Sequence, residues 1–127
     1  MLSDPYERSV NRTADRRTIL IVTDDGNLVE AASRILEQAG YDVVAAPHAG
    51  HAFLAALTRT RIDVLLSDST LDDMTGERLA ATLRRYHRGL RGVFITDRVE
   101  EHAPRTLVRP FTREELLGAL AATSQAS

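Results

Sequence analysis

The 127-residue sequence contains no cysteine and no tryptophan, and only 5% of its residues are aromatic. The absence of cysteine excludes disulfide bonds and thiolate metal sites, and it is compatible with a reducing compartment. No apolar run is long enough to span a bilayer, and the N-terminus lacks the apolar segment of a secretory signal. These absences predict a cytoplasmic protein that makes no membrane contact.

Excess charge of one sign is also missing, since 16 basic and 18 acidic side chains leave a formal net charge of -2. Non-specific binding to nucleic acid depends on a concentrated positive field, which such a balance does not supply. Four arginines do cluster, and we interpret them as a solvated helix end and the loop after it: Arg84, Arg85, Arg88 and Arg91. We therefore expect no direct binding to nucleic acid.

What the sequence does contain is the composition of one globular domain, with 43% hydrophobic and 27% charged residues. Its length falls within the range of a single domain. Residues 1–17 are polar and charged without sustained periodicity, so we interpret them as a flexible leader that cannot offset the entropy of ordering. We expect the folded domain to occupy residues 18–122 and a short tail to occupy residues 123–127.

Apolar patterning divides the folded part into alternating strands and helices. The run TILIV at residues 18–22 is typical of a strand that is covered on both faces. Apolar residues at helical spacing between 27 and 39, followed by Gly40, predict a helix and its end. Continued along the chain, the pattern predicts strands at 18–22, 42–46, 62–67, 92–96 and 106–109, and helices at 27–39, 49–59, 77–86 and 112–122. The last helix opens with a capping box formed by Thr112 and Glu115.

Strands that alternate with helices pair in parallel through right-handed crossovers, which predicts an α/β domain with a doubly wound five-stranded sheet between two helical layers. One connection is unusually short. Only residues 97–105 separate the fourth and fifth strands, whereas a crossover that carries a full helix needs about 10–12 residues. Pro104 shortens the usable stretch further. We expect at most one helical turn there, so that the fourth helix of such a fold is missing or reduced.

The residues that follow the strands carry the candidate chemistry, because ligands of such sheets bind beyond the carboxyl ends of the strands. Polar side chains stand at these places after the first, third, fourth and fifth strands: Thr23, Asp24 and Asp25, then Asp68, Thr96 and Arg109. Each alone is ordinary turn, cap or strand chemistry. Together they bring carboxylates, a hydroxyl and a cation to one edge. Carboxylates forced together raise one another's pKa unless a cation neutralises them, so the cluster predicts a hard divalent ion, with Mg²⁺ as the expected species.

This arrangement resembles the receiver domain of response regulators, the phosphoryl-accepting half of two-component signalling. Four segments carry the resemblance: ILIVTDD at 19–25, LLSDSTLDDMTG at 65–76, VFIT at 93–96 and VRPF at 108–111. The resemblance covers residues 18 to about 122. It implies a flavodoxin-like sheet with strand order 2-1-3-4-5 and helices on both faces.

By this resemblance, Asp68 attacks a phosphohistidine on a partner histidine kinase and becomes an acyl phosphate. Thr96 would then hydrogen-bond the phosphoryl oxygens, and Arg109 would form an ion pair with them. A bound Mg²⁺ would offset the repulsion between a carboxylate and an anionic phosphoryl group. Its implied ligands are Asp24, Asp68 and the backbone carbonyl of Thr70, with Asp25 as an additional candidate.

Several positions depart from the family's pattern. Thr23 stands where the first of two paired acids is usual, which predicts weaker metal binding unless Asp25 contributes. Arg109 replaces a lysine by a larger, planar cation. Asp72 replaces a proline and predicts a more acidic and more mobile loop, and Thr106 stands where an aromatic switch residue is common. Because the family's lysine–proline bond is cis, we expect the peptide bond between Arg109 and the following proline to be cis.

The short connection also resembles an atypical group of stand-alone receivers with a FATG-like segment after the fourth strand, here FITD at residues 94–97. Since only residues 123–127 follow the last helix, we expect a single-domain receiver that acts by binding a downstream protein or by draining phosphate from the kinase. It would be a self-phosphorylating acceptor rather than a turnover enzyme. The alternative is a degenerate pseudo-receiver, a protein-binding module that works without phosphorylation, which Thr23, Arg109 and the short connection between the fourth and fifth strands favour. A hydrolase is disfavoured because no activated nucleophile or general base beyond Asp68 is visible.

The remaining polar residues suggest no other site. The four histidines show no ligand spacing with the acids and are interpreted as surface or helix-end residues: His48, His51, His87 and His102. No Gly-rich loop with a lysine suggests nucleotide binding. We also expect a weak homodimer whose contacts are made by the last strand and helix.

Overall fold

A five-stranded parallel sheet forms the centre of the fold. The computed structural model describes residues 16–59, 61–98 and 105–125. The strands are β1 (Thr18–Val22), β2 (Asp42–Ala46), β3 (Val64–Asp68), β4 (Arg91–Thr96) and β5 (Thr106–Val108). All neighbouring pairs are parallel, and the strands lie in the order β2-β1-β3-β4-β5. The predicted flavodoxin-like α/β architecture and its strand order are confirmed.

Four helices cover the two faces of this sheet: α1 (Gly26–Gln38), α2 (Ala49–Thr58), α3 (Gly76–Leu83) and α4 (Arg113–Gln125). Successive side chains of a strand point to opposite faces, so Ile19 and Ile21 of β1 pack with α1 and α4, whereas Leu20 and Val22 pack with α2 and α3. Every residue of β1 is buried, which explains its continuous apolar run. No helix within the described ranges is both long enough and apolar enough to cross a membrane.

Three element bounds differ from the predicted ones by two or three residues. β3 begins at Val64 because Ile62, although buried in the core, lies before the strand and donates its backbone N–H to His87 Nδ1 at 3.3 Å. α3 ends at Leu83, since residues 84–86 form a turn with exposed side chains. α4 continues to Gln125 instead of ending at 122. Before β3 and after α3, the sequence pattern continues over residues that lack the hydrogen bonds of the strand or helix. At the end of α4, the helical hydrogen bonds continue beyond the apolar pattern.

Hydrogen bonds connect residues near the two ends of the described chain. Arg17 donates from its guanidinium to Thr123 Oγ1 and, at 3.3 Å, to the Leu120 carbonyl oxygen. Thr123 is buried, and its hydroxyl donates to Leu120 O at 2.6 Å. The hydrogen-bonded part of the chain therefore extends slightly beyond the predicted bounds of 18 and 122. The remainder of the predicted leader and tail, residues 1–15 and 126–127, lies outside the described residues.

The connection between β4 and β5 is as short as the sequence suggests. Its described residues, Asp97, Arg98 and Arg105, are not helical, and Arg105 has a positive φ of 63°. Residues 99–104, which include His102 and Pro104, lie outside the described residues. The four helices of the described chain agree with a missing or reduced helix at this place.

Candidate functional site

The carboxylate of Asp68 lies at the centre of the candidate site. It ends β3, where its neighbour Ser67 pairs with Val22 of β1, so the residue that follows β1, Thr23, comes to lie beside it. Thr23 Oγ1 donates to Asp68 Oδ2 at 2.8 Å, and Arg109 Nη2 donates to Asp68 Oδ1 at 2.8 Å. Asp68 is only 9% exposed. Both oxygens of the buried carboxylate are thus held by protein donors.

Arg109 connects three acidic side chains. Its backbone N–H donates to the Thr96 carbonyl oxygen at 2.8 Å, which fixes its place directly after β5. Besides Asp68, its guanidinium contacts Asp25 Oδ2 through Nη1 at 3.2 Å and Asp97 Oδ1 through Nε at 3.5 Å. The last contact is an ion pair without hydrogen-bond geometry, and Nε is buried and donates to no atom of the described residues. This N–H therefore has no hydrogen-bond partner within the described residues, although it faces the Asp97 carboxylate.

Asp25 serves as the N-cap of α1. Its Oδ1 accepts hydrogen bonds from the backbone N–H groups of Asn27 at 3.1 Å and Leu28 at 3.2 Å. An aspartate immediately before a helix is a preferred capping residue, because its side chain satisfies N–H groups that have no partner inside the helix. With Oδ2 paired to Arg109, both carboxylate oxygens of Asp25 are engaged within the protein.

A small cavity of about 60 Å³ lies among the residues at and just beyond the carboxyl ends of β1, β2 and β3. It is lined by Asp24, Asp68 and Thr70, together with Pro47, His48, Leu71 and Asp72. Asp24 is exposed at its rim. The structure thus brings together three of the residues predicted to ligate a metal. Asp25, the additional candidate, lines a different cleft on the other side of Arg109.

A second, larger cavity of about 300 Å³ opens on the other side of Asp68. Asp68, Thr96 and Arg109 line it together with Ser69, Thr70, Ile95, Asp97 and Arg98. Thr96 ends β4 and is 7% exposed, and its Oγ1 accepts the Arg98 backbone N–H at 3.1 Å. The predicted acceptor, hydroxyl and cation therefore share one polar cavity.

Burial raises the pKa of the Asp68 carboxyl above its ordinary value, and the nearby carboxylates of Asp24 and Asp25 raise this pKa as well. The hydrogen bond from Thr23 and the positive charge of Arg109 lower it, but they do not cancel the rise. Burial is thus the main reason why this carboxyl keeps its proton more readily than a free one, and a bound cation would favour its charged form.

The loop that follows Asp68 approaches the site closely at Gly76. A Cβ at this position would lie 2.5 Å from the Asp68 carbonyl oxygen and 2.9 Å from Phe94 Cδ1, so a side chain would collide with the backbone of the acceptor. The loop is closed by backbone hydrogen bonds from Leu71 to Met74 and from Gly76 to Ser69, each 2.8 Å long. The acidic loop predicted to be mobile is thus held at both of its ends.

Comparison with known proteins decides the family. A match to the response regulator receiver domain spans residues 19–121. The chain belongs to this family. The receiver is 36% identical over 104 residues to a response regulator receiver protein of Anaeromyxobacter sp. (strain Fw109-5), which covers 82% of this chain and 42% of that protein. The receiver spans less than half the length of the curated relatives that it matches.

Solved structures of receivers superpose on it closely. The chemotaxis response regulator CheY4 of Vibrio cholerae has a TM-score of 0.75 at 25% identity, with 85% of this chain and 98% of that one covered. The non-phosphorylated HemR receiver domain of Leptospira biflexa has a TM-score of 0.71 at 27% identity, with 88% and 97% covered. The predicted resemblance to the receiver family is therefore confirmed.

Receivers typically bind Mg²⁺, and the donor set of this receiver fits such an ion. Mg²⁺ prefers one or two carboxylates together with other oxygen ligands. Asp24, Asp68 and Thr70 line one cavity and supply such oxygens. Among the described residues, no three His, Cys, Asp or Glu side chains converge as a ready metal cluster. The fit is therefore that of a site with few protein ligands.

Sequence reasoning placed the site residues at one edge but missed two of their roles. It treated Thr23 only as a missing acid, whereas the structure makes its hydroxyl a direct donor to Asp68. It treated Asp25 as a candidate ligand, although an Asp before a helix is a recognisable N-cap signal. The expected cis peptide bond between Arg109 and Pro110 is confirmed.

Proposed function

We propose that this receiver accepts a phosphoryl group on Asp68 from a histidine kinase and signals by a change in the binding of a downstream protein. The observation that carries the proposal is the convergence of Asp68, Thr96 and Arg109 on one polar cavity of about 300 Å³. This cavity has space for a phosphoryl group beside the acceptor carboxylate. The cytoplasmic location of the protein and its weak homodimer through β5 and α4 stay predictions.

The proposed step is an in-line displacement at phosphorus. An oxygen of Asp68 forms a bond to the phosphorus of the kinase's phosphohistidine while the P–N bond breaks. The electron pair of that bond stays on the imidazole nitrogen, which later takes up a proton, so Asp68 becomes an acyl phosphate. Each oxygen of Asp68 accepts one hydrogen bond, from Thr23 or from Arg109, and keeps a second lone pair for the attack.

The transferred group would meet two donors of the cavity. Arg109 would donate from its guanidinium, which lines the cavity and whose Nη2 now donates to Asp68. Thr96 offers its hydroxyl from the end of β4. Both would stabilise the negative charge that phosphorylation adds. This electrostatic interaction is strong because the site is partly buried.

Asp24, Asp68 and the Thr70 carbonyl would hold Mg²⁺ in the smaller cavity. The ion supplies positive charge that screens the carboxylate from the anionic phosphoryl group. The residues themselves supply the placement of the acceptor, because β3 and the bond from Thr23 fix the Asp68 side chain.

Incubation with acetyl phosphate and Mg²⁺ tests the proposal. We expect the intact mass to rise by one phosphoryl group, and Asp68→Asn to abolish the adduct. Asp42→Asn is the matched control, because this carboxylate begins β2 at the opposite end of the sheet and pairs with Arg16. Absence of any adduct on the unaltered protein across pH and Mg²⁺ concentrations would refute phosphoryl acceptance.

A degenerate receiver is the second candidate, and the hydrogen bonds of Asp68 favour it. Both carboxylate oxygens are occupied by Thr23 and Arg109, and the position of Thr23 supplies no metal-binding acid. Such a domain would bind its partner without phosphorylation. Titration with Mg²⁺ discriminates, because a phosphorylatable receiver shows NMR shifts at Asp24 and Asp68, whereas a degenerate one shows none.

A further inference from the structure

The Asp25 carboxylate joins the acceptor site to the beginning of α1. Its Oδ1 holds the backbone N–H groups of Asn27 and Leu28, and its Oδ2 holds Arg109 Nη1 at 3.2 Å. The same guanidinium holds Asp68 through Nη2 at 2.8 Å. One cation thus bridges the acceptor carboxylate and the cap of a helix.

A second connection runs through the backbone of the same residue. The N–H of Asp25 donates to Thr23 Oγ1 at 3.2 Å, and this hydroxyl donates to Asp68 Oδ2 at 2.8 Å. Each oxygen of Asp68 is therefore linked to Asp25 through one intermediate side chain, Arg109 for Oδ1 and Thr23 for Oδ2. A change at either oxygen alters a bonding partner of Asp25.

We propose that Asp25 is a positioning residue that holds Arg109 beside Asp68 and couples the chemical state of the acceptor to the N-terminus of α1. The effect on signalling rests on the proposed phosphorylation of Asp68. The coupling itself exists in the unmodified chain, because it consists of contacts that are already formed.

The consequence of phosphorylation follows from charge. A phosphoryl group on Asp68 carries more negative charge than the Asp25 carboxylate, so it draws the Arg109 guanidinium away from Oδ2 of Asp25. Asp25 then keeps only its capping bonds and shifts with the first turn of α1. The apolar cleft of about 430 Å³ beside it changes as well, because Asp25 and Arg109 line it together with Leu28 and Phe111. This route needs no aromatic switch at Thr106.

Asp25→Asn separates the two roles of this side chain. Asparagine is as good an N-cap as aspartate, so its side-chain oxygen keeps the bonds to Asn27 and Leu28. It removes the negative charge that holds Arg109. The readout is the backbone amide NMR signals of Asn27 and Leu28, which a merely structural cap would leave unaffected by changes at Asp68.

The first arm of the experiment uses the unphosphorylated protein. Asp68→Asn removes the charge that Arg109 shares with Asp25, so we expect both amide signals to shift, and by more than in the control Glu30→Gln, which removes an exposed charge from α1 itself. In the Asp25→Asn background the same Asp68→Asn change should shift these signals less, because only the connection through Thr23 and the backbone N–H of residue 25 remains. Equal shifts in both backgrounds would overturn the coupling.

The second arm uses protein that mass spectrometry shows to be phosphorylated by acetyl phosphate. We expect the two amide signals to move on phosphorylation of the otherwise unaltered chain and to move less in Asp25→Asn. An adduct without movement overturns the inference and leaves the proposed function intact. Failure to form the adduct removes the proposed function, and the first arm then decides on the coupling alone.

Discussion

Arg109 Nη2 lies 2.8 Å from Oδ1 of Asp68, and the same guanidinium reaches Asp25 Oδ2 at 3.2 Å. A guanidinium presents several donors in one plane and can contact two carboxylates at once, whereas an ammonium is a compact point charge. The arginine that departs from the family's lysine is therefore suited to bridge the acceptor and the cap of α1.

The bridge predicts that Arg109→Lys destabilises the fold. The shorter reach and single nitrogen of lysine cannot maintain both contacts, and we expect a loss of about 1 kcal/mol in the free energy of unfolding, the value of one ordinary hydrogen bond. Urea denaturation measures it. Arg61→Lys is the matched control, because Arg61 is about half exposed and, among the described residues, pairs with Asp63 only, so its loss should stay below about 0.5 kcal/mol. Equal losses at the two positions would contradict the bridging role.

The raised pKa of Asp68 predicts a pH-dependent stability. Because the folded chain binds this proton more tightly than the unfolded chain, the stabilising contribution is complete below the ordinary pKa of aspartate and is lost as the pH rises through the raised value. Asp68→Asn lacks this loss. We expect the unfolding free energy of the variant, relative to the unaltered protein, to increase with pH across that window. A difference that stays constant with pH in urea denaturation would show that burial does not penalise the charged carboxyl.

The hydroxyl of Thr23 predicts a loss on replacement by valine. Thr23→Val removes the donor to Asp68 Oδ2 inside a buried site, which should cost about 2 kcal/mol of unfolding free energy, typical of a bond to a charged group. The pKa of Asp68 should rise further, since this bond lowers it. Thr23→Ser keeps the hydroxyl and serves as the control. Urea denaturation and an NMR titration of the Asp68 carboxyl carbon measure the two effects, and similar values for valine and serine would argue against the bond.

Restoring an acid at position 23 should strengthen metal binding. Thr23→Asp adds a carboxylate beside Asp68 and removes the hydroxyl that occupies Oδ2, and ligand charge is a main determinant of affinity for hard cations. We expect Mg²⁺ to bind about tenfold more tightly, which corresponds to ~1.4 kcal/mol. Isothermal titration calorimetry measures this, with Thr23→Asn as the uncharged control of similar size. If the two variants bind Mg²⁺ equally, charge at this position does not limit the site.

The close approach at Gly76 predicts that even one methyl group disturbs the acceptor strand. Gly76→Ala would place Cβ 2.5 Å from the Asp68 carbonyl oxygen, so backbone must move, at a cost of about 1–3 kcal/mol. Gly118→Ala in α4 is the control, because its Cβ would meet no atom within 4 Å and alanine favours the helix by about 1 kcal/mol. Thermal denaturation should show opposite shifts in Tm, and a shift of the same sign would contradict the close contact.

Most of the fold could be predicted from local patterns. The continuous apolar run of β1 indicates burial on both faces of the strand, and the helical spacing after it indicates burial on one face of α1. Both patterns can be read from residues that are close together in the sequence. The bounds that moved, at Ile62 and at the ends of α3 and α4, are places where an apolar side chain is buried without strand pairing, or where hydrogen bonds and the apolar pattern end at different residues.

For the site, the sequence by itself determined which residues meet, because parallel strands bring their carboxyl ends to one edge and Asp68, Thr96 and Arg109 stand at those ends. Only the tertiary structure decided how they are bonded. Arg109 and Asp25 are 84 residues apart, and their contact depends on strand register and on the direction of each side chain. Such directions are set by competition between donors for a limited number of carboxylate oxygens, and this competition exists only once the strands and α1 have packed together.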